Sequence, residues 1–427
     1  MPATLGRMGI VPLGYGFLST YPPTQCGLAT FTAALREHLT TLVPGAPSGV
    51  VRLLDAPAGT GAGLAPAGPA EVIGDLVAGT SGGPAHAARL LNRFDVVLVQ
   101  HEYGVYGGRD GAEVVDVLRR LEVPAVVVLH TVLTRPTPHQ RQILEAVAAA
   151  AAAIVVMTET ARDRLAAGYR VDQRRVSVIP HGAAGDHRPA SARAAAPVPT
   201  PARARQPTIL TWGLIGPGKG IEWGIAALAA LADLGPSPRY VVAGETHPKV
   251  LAREGEAYRD GLVAQARRLG LAGSVVFDAR YRDAAALAEL VRSADLVLLP
   301  YDSLDQVTSG VLIEAVAAHK PIVATRFPHA VELLGDGTGL LVAHRDPTAI
   351  AAAVRAVVTD DGLRHRLAHS VAARAPELLW PAVARRYQRL AVELVARTEP
   401  APSVGRAVRR SGRTTEPAAG GPALANR

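Results

Sequence analysis

Cysteine occurs once, at Cys26, and lysine three times, at Lys219, Lys249 and Lys320, in a chain of 427 residues. A single thiol excludes a disulfide framework and any cysteine-rich zinc site, and it fits a reducing compartment. Aromatic residues make up only 4% of the chain, too few to interleave with basic residues in a nucleic-acid-binding module, so no nucleic-acid partner is expected. The opening MPATLGRMGIVPLGYGFLST lacks a charged start followed by an unbroken apolar core, which argues against a signal peptide. No run is long and apolar enough to cross a bilayer. The expectation is a cytoplasmic protein. Net charge is +8, and residues 400–427 hold five arginines against one glutamate among Pro, Gly, Ser and Ala, a composition that reads as a disordered basic tail. Peripheral contact of these arginines with the inner face of a membrane is left open.

What the chain does have is a dense middle, LVLLPYDSLDQVTSGVLIEAVAAHKPIVAT, from Leu296 to Thr325. An apolar strand pattern ends in a polar loop, a helix follows over 311–318, and a second apolar strand begins at Pro321. Thr308, Ser309 and Gly310 bring hydroxyls and free backbone N–H groups to the helix start, where the dipole favours an anion. Glu314 lies one turn on. A carboxylate inside an apolar run is costly unless it binds something or caps nearby donors, although a solvent-facing position reads equally well.

Upstream, a strand is expected over 8–18, then the loop Thr20–Thr30 kept extended by Pro22 and Pro23, with Gly27 just ahead of an amphipathic helix over 29–42. Cys26 in that turn reads as packing rather than as a nucleophile. Residues 57–69 are Gly- and Pro-rich and read as a loop insertion. Four β-branched runs then end in polar groups: DVVLVQ at His101-Glu102-Tyr103, PAVVVLH at His130, AIVVM at Thr158 and RVSVIP at His181. Such runs suit a parallel sheet covered on both faces, whose sites lie at the carboxyl ends of its strands. His101 and His130 should project into one crevice with Glu102, although each histidine reads equally as a structural group bonded to a neighbouring loop. No helix-borne metal-ligand spacing occurs, and no metal is expected.

Residues 191–207 form a Pro/Ala/Arg linker. Beyond it TILTWG, YVVAG, SVVFD, DLVLL, PIVAT and GLLV are six short strands, separated by helical patterns over 221–234 and 250–269. The chain therefore reads as two doubly wound α/β halves, 1–190 and 208–375, with a helix at 376–398 that packs back on the first half, and the tail 399–427. The first strand of the second half ends in Gly213-Leu214-Ile215-Gly216-Pro217-Gly218-Lys219-Gly220. Its glycines free backbone donors and Lys219 adds a charge for phosphate. The run begins like an NTPase P-loop, but Gly220 stands where a magnesium-holding Ser or Thr belongs. Glu245 should share the Lys219 rim.

The order of these motifs resembles the family-4 retaining glycosyltransferases of the GT-B fold, over about residues 10–395. The similar stretches are Tyr21-Pro22-Pro23 with Gly27, the His130 strand end, Ile179 to Gly182, the Gly213–Gly220 loop, and Gln306 through Pro321. The resemblance implies two Rossmann-like domains facing across a cleft, a nucleotide-diphosphate sugar as donor, no cofactor, and a sugar, glycan or lipid-linked acceptor. It implies that Lys219 holds the diphosphate, that Glu314 bonds the ribose, that Thr308-Ser309-Gly310 meets phosphate or sugar, that Gly27 faces the diphosphate, and that His130 lies near the transferred sugar. His130, Lys219 and Gln306 are the catalytic candidates. Gly216, Gly218 and Glu245 join the donor side, and His101, Glu102 and Tyr103 the acceptor side. Two positions depart from the pattern: Gln306 stands for the first glutamate of Glu-x7-Glu, and Leu214 for an arginine five before the lysine.

A nucleotide-sugar epimerase of the same architecture, with His101, Glu102 or Glu245 as acid and base, is one alternative. A non-catalytic sugar-nucleotide-binding protein is another.

Overall fold

The computed structural model describes residues 12–55, 69–185, 205–280 and 282–398. Residues 57–68 of the 57–69 insertion, most of the 191–207 linker and the tail from 399 lie outside the described residues. The fold is α/β and consists of two parallel sheets, each layered by helices.

The first sheet has strands β1 (Tyr15–Ser19), β2 (Ser48–Leu54), β3 (Val72–Val77), β4 (Val96–His101), β5 (Ala125–Leu129), β6 (Ala153–Val156) and β7 (Val176–Val178), in the order β3-β2-β1-β4-β5-β6-β7. The second has β8 (Thr208–Trp212), β9 (Arg239–Ala243), β10 (Val275–Asp278), β11 (Leu296–Leu299), β12 (Ile322–Thr325) and β13 (Leu340–Val342), in the order β10-β9-β8-β11-β12-β13. Strands such as VVLVQH and LVLL are buried along their whole length, because each sheet carries an apolar cluster on both faces. Strand order reverses between β1 and β4 and again between β8 and β11. Those switch points open a crevice beyond the carboxyl ends of the strands.

The expected strand over 8–18 is β1 at Tyr15–Ser19, and residues 8–11 lie outside the described set. Strands β2 and β3 and the helix Gly83–Leu91 are additions to the expectation. Strand β2 carries Arg52 in its middle, buried and paired to Asp75 of β3 at 2.9 Å, a polar interruption that disguises an interior strand. The single helix expected over 250–269 is two, Pro248–Glu254 and Ala257–Arg268, broken where Gly255 adopts a φ of 62°.

Two segments bridge the halves near the C-terminus. The helix Asp361–Leu378 packs Val371, Ala375 and Leu378 into the core of the second sheet. Leu379 is extended and pairs with Ala183, with bonds of 2.8 Å from Ala183 N–H to Leu378 O and 3.0 Å from Trp380 N–H to Ala183 O. The last helix, Trp380–Thr398, then lays Trp380, Val383, Tyr387 and Leu394 against Tyr15, Phe31 and Leu35 of the first half.

Candidate active site

Loops at the carboxyl ends of the two sheets meet. The helix Gly27–Leu42 begins at the loop after β1; Cys26 caps it, accepting from Ala29 N–H at 3.4 Å, and lies 3.0 Å from Thr20 Oγ1. The thiol is thus engaged in fixing the turn. Gly27 opens that helix with nothing within 4 Å of where a Cβ would stand.

His130 follows β5. Its Nε2 donates to Gln100 Oε1 at 2.7 Å, which leaves Nδ1 as an acceptor. Burial, with the neighbouring His181 and His101, holds its pKa down to about 3, so the ring is neutral at physiological pH. Phe31 touches the rings of His130 and His181 edge-on at 5.0 Å each.

His101 sits deeper than the other histidine of the pair. It is the last residue of β4, completely buried, its ring edge-on to Tyr103 at 5.2 Å and both ring nitrogens without partners. Burial holds its pKa down to about 4, and the ring is close enough to His130 to help lower the pKa there. Glu102 does reach the rim: its carboxylate accepts from Tyr103 N–H at 3.0 Å and from the Thr131 hydroxyl, and burial pushes its pKa up. Tyr103 is half-buried, with its hydroxyl turned inward.

In the second half the Gly213–Gly220 loop is braced on both sides. His247 N–H donates to Ile215 O at 2.8 Å, and Asp302 N–H to Gly218 O at 3.0 Å. Gly220 is in the left-handed region at φ 62°, and a Cβ there would lie 1.8 Å from Pro300 O, so only glycine fits. Gly216 packs against Val250, whereas Gly218 is open. The Lys219 ammonium rests 4.3 Å from the centroid of the buried Tyr301 ring. Glu245 is half-buried at the same edge, its carbonyl accepting from Ile215 N–H at 2.8 Å.

The helix Gly310–Ala317 is capped by Ser309, whose hydroxyl accepts from Leu312 N–H at 3.2 Å. Ser309 N–H itself donates to His329 Nδ1 at 2.8 Å, so among the described residues the unclaimed donors of this helix start are those of Gly310 and Val311. His329 is buried and its pKa is held down to about 3 by burial and by His181. Gly310 admits the His181 ring, which would stand 3.1 Å from a Cβ there. Thr308 Oγ1 is buried without a partner, and Gln306 Nε2 donates to Thr308 O at 3.2 Å. Glu314 accepts from Trp212 Nε1–H at 2.9 Å; burial raises its pKa and that bond opposes the rise.

Between the halves lies a cavity of about 340 Å³ lined by His130, Thr131, Ser303, Asp305, Gln306, Val307 and Thr308. Arg164 crosses from the first half to donate to Asp305 O at 2.9 Å and Leu304 O at 3.0 Å. Thr134 bonds the Asp305 carboxylate, and Lys249 donates to Gly104 O at 3.0 Å. Trp212, His329, Arg164 and Lys249 escaped sequence reasoning. Only Trp212 left a signal, an indole N–H at a strand end that must find an acceptor. Leu214 is half-buried beside the Lys219 loop, and Arg326 is exposed. Among the described residues no group of three or more His, Cys, Asp or Glu is placed to hold a metal ion.

Comparison with known proteins fits this arrangement. The model described as Glycosyl transferases group 1 matches residues 193–374, and Glycosyltransferase Family 4 matches residues 70–184. The D-inositol 3-phosphate glycosyltransferase of Corynebacterium kroppenstedtii is 30% identical over 377 residues, 83% of this chain and 78% of that one. Its counterpart in Kineococcus radiotolerans is 31% identical over 340 residues, 74% and 75% of the two chains. The crystal structure of Anabaena HepE with UDP superposes with a TM-score of 0.67 at 17% identity, covering 90% of this chain and 100% of that one. A Rickettsia africae glycosyltransferase gives 0.66 at 15% identity, with coverage of 90% and 100%. At such identities the structural likeness speaks for the fold.

Proposed function

The chain belongs to the family-4 glycosyltransferases of the GT-B fold, and from that premise we propose that it moves a hexose from a nucleoside-diphosphate sugar to a hydroxyl of a sugar, glycan or lipid-linked acceptor, with retention of anomeric configuration. The observation that carries the reading is the cavity shared by His130 and Thr131 of one half and the 303–308 loop of the other. In this reading the donor extends from that cavity toward Lys219, the N–H groups of Gly310 and Val311, and Glu314. HepE was crystallised with UDP and with UDP-glucose, which supports a nucleotide sugar here.

In this reading the anomeric C–O bond to the diphosphate breaks through an oxocarbenium-like state while the acceptor oxygen bonds the same face. The acceptor proton passes to the departing phosphate oxygen. Negative charge grows on that diphosphate, and the Lys219 ammonium together with the helix N-terminus at Gly310 offsets it, which takes the place of a metal. His130 Nδ1 accepts from a hydroxyl of the transferred sugar, Gln306 bonds another with its amide, and Gly27 leaves room for the diphosphate. Glu314 holds the ribose. Glu102, half-buried at the rim, faces the acceptor.

The test is turnover of UDP-, GDP- and ADP-hexoses with an acceptor panel that starts from inositol and D-inositol 3-phosphate, the latter taken from the relatives' name. Nucleoside diphosphate release, insensitive to chelation, with an NMR coupling constant showing the donor's own anomeric configuration, is expected. An epimerised donor, or tight binding with no transfer to any acceptor, contradicts it.

A further inference from the structure

We infer that Trp212 is a positioning residue for nucleotide recognition, its indole N–H holding one oxygen of Glu314 so that the other faces the ribose diol. The inference rests on the reading of Glu314 as the ribose-binding group. Trp212 is the last residue of β8, 3% exposed, and Gly213 behind it turns the chain at a φ of 114°. The strand thus stops where the indole meets the first turns of the helix Gly310–Ala317, with Val311 only 3.4 Å from where a Gly213 Cβ would be. Trp212 Nε1–H to Glu314 Oε2 spans 2.9 Å between residues 102 apart in sequence. Among the described residues it is the only hydrogen-bond donor to this carboxylate.

A buried indole N–H needs an acceptor, and a backbone carbonyl would serve its stability as well. A carboxylate partner does something different. It fixes the rotamer of a charged group in a water-poor place, and it supports the ionised form against burial, since the bond lowers a pKa that burial raises. One oxygen is spent on the indole, and the other keeps its lone pairs for two vicinal hydroxyls. A merely structural bond predicts no preference among ligands; a positioning bond predicts that removing it erases selectivity for the ribose.

The experiment measures affinities of the full-length protein for UDP, GDP and ADP, and for the 2′-deoxy form of whichever binds most tightly. Wild type is expected to prefer the ribonucleotide about tenfold. Trp212→Phe, which keeps the ring and lacks the N–H, should shrink that preference below twofold, whereas Lys219→Ala weakens both nucleotides equally and preserves the ratio. A tenfold preference retained in Trp212→Phe overturns the inference. Lack of preference in wild type, with Glu314→Gln also silent, overturns the ribose reading of Glu314 and the role of Trp212 with it. Should Trp212→Phe fail to fold, the Trp212 indole N–H resonance of wild type decides: a shift with the ribonucleotide but not the 2′-deoxy form supports the inference, and equal shifts with both overturn it.

Discussion

Lys219 and four histidines, His101 and His329 buried and His130 and His181 half-buried, differ in character. The lysine is a mobile cation resting on an aromatic face, and its proposed partner is a diphosphate. A charge-assisted bond of that kind contributes roughly 1.5–3 kcal/mol, so Lys219→Ala should raise donor KM or lower kcat/KM by about ten- to a hundredfold, with the far-UV spectrum unchanged. A variant within twofold of wild type in donor steady-state kinetics would remove Lys219 from the site. The histidines are held neutral. His101 and His181 are held down to about 4, and His130 and His329 to about 3, by burial first. In the unfolded chain each titrates near 6.5, so between that pH and its folded pKa the unfolded state binds the extra proton. Stability is therefore present above about pH 6.5 and lost as pH falls, by about 1.4 kcal/mol per pH unit per histidine. The melting temperature should drop steeply between pH 7 and 5, and His101→Phe should flatten that slope. An unchanged slope would show that His101 is solvated in the native protein.

At the scale of elements, capping decides where the helix Gly310–Ala317 starts. Ser309 accepts from Leu312 N–H while its own N–H is taken by His329. Ser309→Ala should cost about 1 kcal/mol of stability, read by denaturant melts, and weaken donor binding because Gly310 and Val311 are the donors left at that terminus. The strands of both sheets were legible as unbroken β-branched runs, and their polar ends marked the cleft, because parallel strands buried on both faces admit little else. The two that escaped, β2 and β3, share a pair between buried Arg52 and half-buried Asp75 that no periodicity signals. The full burial of His101 was hidden for a related reason: a polar residue ending an apolar run looks like a strand end facing solvent, yet it is the last paired residue, its carbonyl accepting from His130 N–H at 3.1 Å. The bonds from Trp212 to Glu314 and from Ser309 to His329 join residues far apart in sequence, and spacing alone does not reveal them.

Across the whole molecule the two halves are held by a small set of polar contacts. Glu332 of the second half accepts from the N–H groups of Glu159 and Thr160, at 2.8 and 2.9 Å, and so caps a helix of the first half. Arg164 clamps the 304–305 carbonyls, and Lys249 the Gly104 carbonyl. The last helix ties the C-terminus back to the first core. No helix among the described residues is long and apolar enough to span a membrane. Arg164→Ala combined with Glu332→Ala should leave each core intact while loosening the cleft, seen as a larger radius of gyration in small-angle scattering and a donor KM raised severalfold. Identical scattering and kinetics would mean that the helix crossing and the linker set the closure alone.

The central claim is that this cleft binds a nucleoside-diphosphate sugar through Lys219 and Glu314. The most direct measurement is a thermal-shift series of the purified protein with UDP-, GDP- and ADP-sugars, alongside Lys219→Ala and Glu314→Ala, since a ligand of the native state raises its stability. Selective stabilisation by one nucleotide class, lost in both variants, is the predicted result. Equal shifts in wild type and variants, or none with any of the three classes, would contradict it.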